Sequence, residues 1–276
     1  MIGTHNRERG LRSKLALITG ASGSIGFGIA KCFAEEGTNL ALADLREKEL
    51  FKIKQELKIF SIDIECFSLD VKSENSCDKL VLDVAEKFGN IDILVNNAGV
   101  LGSPELALGM PLTDISGSDW DEAFQVNTRG VFFLCKSIIG YMKHSKSGRI
   151  INIASRAAFD GRESIPHYSA SKAAVVIFSQ SLAKELAPSG ITVNTVCPGL
   201  IWSDMWKKLS PLYKKKMSEL KNMDSREVFD FFVKQTPLNL EQTPEDIGRT
   251  VTFLASDDAR TITGQSILVD SGSVMR

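Results

Sequence analysis

Seven short apolar runs, separated by longer segments of helical periodicity, restrict what this chain can fold into. The runs at 15–19, 39–43, 64–69, 91–95, 149–154, 191–197 and 266–269 have strand length, and most lack the polar alternation of a half-solvated strand. A strand that is apolar on both sides must be covered on both sides, which suits a parallel sheet between layers of helices. Segments 24–36, 47–58, 73–88, 119–144, 169–186 and 244–256 repeat apolar residues at helical spacing. The fourth is long enough for two helices or one bent helix. Regular alternation of this kind predicts an α/β fold, a doubly wound sheet of about seven strands with helices on both faces.

The chain of 276 residues carries 24% charged residues and a formal net charge of −1, so it presents no general positive field. Nucleic-acid binding, which depends on displacing counterions from phosphates, has no compositional support. Five scattered cysteines form no CxxC pair, and three scattered histidines form no ligand cluster, so neither a disulfide framework nor a metal site is expected. No stretch reaches the roughly 18 apolar residues of a membrane span. The first residues are polar and Arg-rich without an apolar run, unlike a secretory signal. The expectation is a cytoplasmic protein with a flexible extension at 1–13 and a single domain at 14–276. Within it, residues 202–242 interrupt the rhythm as a long insertion rich in lysines and aromatics, read as a substrate loop or lid.

The first apolar run leads directly into Thr19-Gly20-Ala21-Ser22-Gly23-Ser24-Ile25-Gly26, and a helical pattern follows. Glycines permit a tight turn and let backbone N–H groups approach a pyrophosphate, and the helix N-terminus behind them favours the anion. Asp44 closes the second run about 20 residues later, where a carboxylate can accept from a ribose 2′-hydroxyl and repel a 2′-phosphate. Leu45 and Gly23, where a basic side chain could rescue that phosphate, are uncharged, although Arg46 follows closely. The reading is a Rossmann-like βαβ unit for NAD in preference to NADP.

Tyr168-Ser169-Ala170-Ser171-Lys172 sets a phenol and an ammonium four residues apart, hence on one face of a helix. Ser155 lies thirteen residues upstream at the end of a strand, Asn127 stands in Val126-Asn127-Thr128-Arg129-Gly130, and Asn96-Asn97-Ala98-Gly99 closes the fourth strand. Pro198-Gly199-Leu200-Ile201-Trp202-Ser203 follows the sixth strand, and Thr263-Gly264-Gln265 leads into the last. In this order and spacing, over about 14–272, the chain resembles the short-chain dehydrogenase/reductase family.

The resemblance implies an oxidoreductase that moves hydride between NAD(H) and a secondary alcohol or ketone. It makes Tyr168 the acid/base, Ser155 a donor to the substrate oxygen, Lys172 the partner of the phenol and of the nicotinamide ribose, and Asn127 the holder of a water on a proton path. A free phenol titrates near pH 10, so neighbouring positive charge from Lys172 and the oxidised cofactor is expected to lower it. The implied cofactor set comprises Gly20, Ser22, Gly23, Ser24, Ile25 and Gly26 in the turn, Asp44 and Leu45 after the second strand, and Asp70 and Val71 against adenine. It continues with Asn97, Ala98 and Gly99 beside the riboses, then Pro198, Gly199, Ile201 and Ser203 by the nicotinamide, besides Tyr168 and Lys172. Ser24 replaces the family's middle glycine, and Ser203 stands where threonine is common.

Substrate choice is expected from 101–113, 157–167 and 202–242. Arg156, Arg162, Lys207 and Lys208 lie in or beside these segments. Charged side chains are mostly exposed, so they are expected to be solvated rather than to clamp an acidic substrate. Relatives are usually dimers or tetramers, and a homotetramer or homodimer is the implied assembly. An NADPH-dependent 3-oxoacyl thioester reductase shares every motif, with Asp44 arguing against it. A non-catalytic dinucleotide sensor would be expected to lack part of the serine–tyrosine–lysine set.

Overall fold

The computed structural model describes residues 9–102, 112–145, 147–163 and 165–276. Seven parallel strands, β1 (Leu15–Thr19), β2 (Asn39–Asp44), β3 (Ile64–Ser68), β4 (Ile93–Asn96), β5 (Gly148–Ile153), β6 (Ile191–Pro198) and β7 (Ser266–Val269), form one sheet in the order β3-β2-β1-β4-β5-β6-β7. The order reverses between β1 and β4, where Ala16 pairs with Ile93 and Ile18 with Val95. In such sheets ligands bind beyond the carboxyl ends of the two strands at which the order reverses, here β1 and β4.

Successive strand residues feed opposite cores. Ala16, Ile18, Leu40 and Leu42 pack with α1 (Ser24–Glu35), α2 (Glu47–Leu57) and α9 (Pro244–Ala255) through Ile29, Phe33, Leu50, Ile247 and Val251. Leu15, Leu17, Ala41 and Leu94 pack with α3 (Glu74–Phe88), α5 (Gly130–Ser145) and α6 (Pro166–Leu186) through Leu80, Leu134, Ile138, Val175 and Leu186. Both faces of β1 are thereby dry, which is why its run shows no polar alternation.

Segment 119–144 resolves into α4 (Gly117–Phe124), a π-helical turn (Gln125–Arg129) and α5. A Ser116–Asp119 capping box starts α4. Helix α6 begins at Pro166, three residues earlier than the apolar pattern indicates, because proline suits the first helical position. Residues 202–242 contain α7 (Asp204–Lys216) and α8 (Ser225–Val233), which share a small core of Leu200, Trp206, Phe229 and Val233.

The extension expected at 1–13 needs correction over its described part. Leu11 is 2% exposed, its carbonyl accepts from Thr38 Oγ1 at 3.1 Å, and Ser13 N–H donates to the Gly37 carbonyl at 2.9 Å. Arg9 accepts from Asp257 N–H at 3.0 Å, so residues 9–13 are docked across the end of β2 and the segment after α9. One apolar side chain between polar neighbours gave no periodic signal of this. Residues 1–8 lie outside the described residues.

Candidate active site

The turn after β1 is shaped by contact as well as conformation. Gly20 has φ +61°, and a Cβ there would lie 2.7 Å from Ala98 Cα. A Cβ on Gly26 would lie 2.3 Å from the Gly20 carbonyl oxygen, so only glycine lets α1 start this close to the strand. Ser22 keeps a buried hydroxyl oxygen without a partner. Gly23 is the N-cap of α1 with φ −77°, Ser24 is its first residue and is exposed, and Ile25 is partly buried. With φ negative at Gly23, the serine at 24 demands no unusual backbone.

Asp44, the last residue of β2, accepts from Ser22 N–H at 3.1 Å and from Arg46 N–H at 3.0 Å. Arg46 Nε lies 3.5 Å from the same carboxylate. Leu45 beside it is 64% exposed, an apolar edge open to solvent. Asp70 folds back to accept from Lys72 N–H at 2.9 Å, and Val71 packs into the hollow left by Gly130. Asn97 Nδ2 donates to the Thr19 and Gly20 carbonyls, both at 3.0 Å, and Asn97 N–H donates to Thr19 Oγ1 at 3.1 Å. That side chain thus ties the β4 end to the β1 turn. Ala98 N–H also donates to Thr19 Oγ1, at 3.2 Å.

Asn127 owes its position to the π-helical turn, since one extra residue per turn swings a side chain out of the α-helical register. Its amide is engaged at both ends: Oδ1 accepts from Val100 N–H at 2.8 Å, and Nδ2 donates to the Val100 carbonyl at 2.8 Å and to Ser171 Oγ at 3.0 Å. A side chain built at Gly99 would begin 3.2 Å from both Asn127 Oδ1 and Lys172 Nζ, which brings β4, the π-turn and α6 to one point. Ser171 donates in turn to the Tyr168 carbonyl at 2.8 Å.

Tyr168 and Lys172 lie one turn apart on α6, with Lys172 Nζ 5.9 Å from the phenol ring centroid. Lys172 is 5% exposed, and Nζ donates to the Ile153 carbonyl at the end of β5 at 2.9 Å. Burial pushes its pKa down to about 8, with Cys197 opposing weakly. Burial also raises the Tyr168 phenol above the ordinary tyrosine value, and a hydrogen bond with the Ser155 side chain opposes it. The expected lowering by Lys172 is therefore not realised by the protein's own groups, because desolvation of the phenolate outweighs them. Ser155 Oγ accepts from Ala157 N–H at 3.1 Å and caps a short 3-10 turn, Arg156–Ala158.

After β6, Gly199 N–H donates to the Val269 carbonyl at 2.9 Å and Leu200 N–H to Gln242 Oε1 at 2.7 Å. Ile201 bridges to Gln242, and Ser203 precedes α7 with its carbonyl accepting from Trp206 N–H at 3.0 Å. Pro198 is the last residue of β6, in register with Val269.

The residues singled out in the sequence thus gather at the carboxyl ends of β1, β2, β3, β4, β5 and β6. Of the segments expected to shape the substrate side, residues 103–111 and 164 lie outside the described residues. The sequence reading missed two contributors. Ser171 was legible as the third residue after Tyr168, whereas Gln242 gave no local signal because it reaches the turn after β6 from far along the chain. Among the described residues no helix is long and apolar enough to cross a membrane.

A family model described as Enoyl-(Acyl carrier protein) reductase matches residues 20–273. The chain belongs to the short-chain dehydrogenase/reductase family. It is 37% identical to diacetyl reductase, (S)-acetoin forming, of Staphylococcus epidermidis, over 96% of this chain and 100% of the relative. A 3-oxoacyl-(acyl-carrier-protein) reductase of the same species is 36% identical over 95% of this chain and 100% of its own. Among solved structures, NAD+-bound xylitol dehydrogenase superposes with a TM-score of 0.88 at 31% identity, covering 95% of this chain and 99% of its own. L-Sorbose reductase from Gluconobacter frateurii, complexed with NADPH and L-sorbose, gives a TM-score of 0.87 at 29% identity, covering 98% of this chain and 99% of its own. The short-chain dehydrogenase/reductase chain described here is accordingly an oxidoreductase of a family that binds nicotinamide dinucleotides.

Proposed function

We propose that the protein transfers hydride between NAD(H) and a secondary alcohol or ketone, with Tyr168 as acid/base. The observation that carries this reading is Lys172, buried one turn from Tyr168 on α6 with Nζ 5.9 Å from the phenol ring, at the end of β5 where Ser155 follows. The crevice fits a dinucleotide: the close-packed turn at Gly20 and Gly26 leaves space only for backbone, Ser22 keeps a hydroxyl without a partner, and Asp44 stands where a ribose would end. When bound, the nicotinamide supplies the hydride donor or acceptor and, oxidised, a positive charge. In oxidation Tyr168 takes the proton of the alcohol as hydride departs, and in reduction it returns that proton to the carbonyl oxygen. Ser155 steadies the charge on that oxygen, and Asn127, fixed at Val100 and Ser171, holds the hydrated end of a path from Lys172.

The carboxylate of Asp44 supports NAD over NADP, and Leu45, Asp70, Val71, Asn97, Pro198, Ile201 and Ser203 complete the cofactor walls. We read α7 and α8 as a substrate lid, the protein as cytoplasmic, and its assembly as a homotetramer or homodimer. A second reading, an NADPH-dependent 3-oxoacyl thioester reductase, draws on Arg46 beside Asp44 and on the reductase relative.

The test is a titration with NAD and NADP followed by a turnover screen over polyols, sugars, cyclic alcohols and hydroxy acids. Tyr168→Phe should keep cofactor affinity and lose at least 100-fold in kcat, roughly the contribution of a positioned acid/base. Turnover equal to the parent would contradict the mechanism, and tighter binding of NADP would favour the second reading.

A further inference from the structure

Arg162 and Lys207, two of the cations singled out in the sequence, meet ordinary surface carboxylates, Asp160 at 2.6 Å and Asp204 at 2.8 Å. Exposed pairs of this kind contribute little to shape or stability. Arg226, in the first turn of α8, is held differently, along its whole guanidinium. Nε lies 2.9 Å from Asp230 Oδ1, Nη1 donates to Glu241 Oε1 at 3.2 Å, and Nη2 donates to Glu241 Oε2. The guanidinium carbon also lies 5.3 Å from the centre of the Trp202 ring and 5.1 Å from that of Phe229, and those two rings meet edge to face at 5.4 Å.

Helix α8 does not need this arginine for its own sake. The amino end of a helix carries partial positive charge, so a cation in the first turn is disfavoured there. The capping box of Asp224 and Glu227 already supplies the acids that this end requires. What Arg226 gains lies outside the helix, at the two ends of the insertion 202–242. Trp202 opens that insertion directly after Ile201, and Glu241 closes it directly before Gln242. Ile201 and Gln242 are joined by a parallel bridge, and Gln242 Oε1 accepts from Leu200 N–H at 2.7 Å. One side chain from the middle of the insertion therefore grips both of its ends, where they leave the segment after β6. A forked ion pair set beside two rings fixes orientation as a lone pair does not, and an ammonium lacks the fork.

We propose that Arg226 is a positioning residue, the clasp that sets the angle of α7 and α8 on the Leu200–Ile201 segment and so holds the substrate side of the site in its working shape. The clasp rests on the reading of α7 and α8 as a substrate lid, but not on the acid/base role of Tyr168. Because the contacts are charged and partly exposed, the clasp weakens as salt rises.

Two measurements test it. The first is hydrogen exchange of the full chain, read by mass spectrometry with and without NAD. In Arg226→Gln, and again in Glu241→Gln, the segments 200–203 and 240–243 should exchange roughly tenfold faster than in the parent. An arginine that merely stabilised its own helix would change 225–233 alone. That narrower pattern, or no change, would overturn the proposal. The second is the KM for diacetyl, a small neutral diketone, at saturating NADH. Arg226→Gln should raise it roughly tenfold and leave kcat within about twofold, and Arg226→Lys should not recover it. Adding Glu241→Gln to Arg226→Gln should raise it no further, since the two residues act as one contact. Between about 0.05 and about 0.5 M salt the parent's KM should climb while that of Arg226→Gln stays level. A KM in Arg226→Gln equal to the parent's, or additive effects in the double variant, would each refute the clasp. If Tyr168→Phe turns over like the parent while exchange at 200–203 still depends on Arg226, the acid/base reading falls and the clasp stands. Unchanged exchange beside an inactive Tyr168→Phe removes the clasp and leaves hydride transfer in place.

Discussion

Lys172 is a cation that the fold encloses at a cost. Its pKa of about 8 in the folded protein lies below the 10.5 of an ordinary lysine, so above pH 8 the unfolded chain binds more protons than the folded one. Stability therefore rises with pH through the interval from 8 to 10.5, and below 8 the penalty of the buried charge is fully present. The gap corresponds to on the order of 3 kcal/mol, part of which the bond to the Ile153 carbonyl offsets. Lys172→Met should raise the stability of the protein by about 1–2 kcal/mol at pH 7, with the advantage shrinking toward pH 10, while turnover collapses. Denaturant melts at the two pH values check this, and a midpoint at pH 7 no higher than the parent's contradicts it. At this scale the sequence was informative about identity and spacing: Tyr168, Lys172, Ser155 and Asn127 could be picked out in order. Their electrostatics could not. Whether a phenol is raised or lowered depends on how much water the surrounding elements remove, and one-dimensional spacing carries no measure of that.

Among the elements, α7 and α8 owe their association to few contacts. Trp206 is 7% exposed and holds Tyr213, Phe229 and Phe232, with ring centroids at 5.8, 5.1 and 5.7 Å. Trp206→Ala should destabilise this pair of helices by about 3 kcal/mol, the low end for a buried tryptophan. Because the cluster is separate from the two cores of the sheet, the loss should appear as faster proteolysis within 204–233 and a raised KM, with a small change in the global midpoint. Cleavage at the parent's rate would show that other contacts hold the helices. The sequence announced this insertion by breaking the βα rhythm, but its aromatics look alike whether they face a substrate or each other. The π-turn was less legible still. A segment of unbroken helical pattern at 119–144 hid the widened turn, since π and α spacing differ by too little over five residues for apolar periodicity to separate them.

The whole molecule carries exposed apolar side chains on α5 and α6, the surface that the proposed assembly would bury. Phe132 on α5 is 44% exposed and Ile177 on α6 is 61% exposed, both facing away from the sheet. The double variant Phe132→Glu, Ile177→Glu should reduce the mass in solution to that of the 30.3 kDa chain, measured by light scattering, while the far-ultraviolet spectrum stays unchanged. A parent already monomeric at micromolar concentration would remove this assembly. The sheet itself was the most legible feature, because strands dry on both faces write continuous apolar runs, and β1 and β7 fall at the bounds the sequence suggests. Which faces meet another copy was not legible, since apolar stripes on α5 and α6 serve the internal core equally well.

The backbone after β6, proposed above to border the nicotinamide, is held by late partners: Gly199 by Val269, Leu200 by Gln242, and Gln242 in turn by Ser271. During synthesis, then, everything through Pro198 can emerge while that wall still lacks its brace, which arrives only with Gln242, Val269 and Ser271. A stop codon directly after Gly264 would discard β7 and leave six of the seven strands around an unfinished pocket.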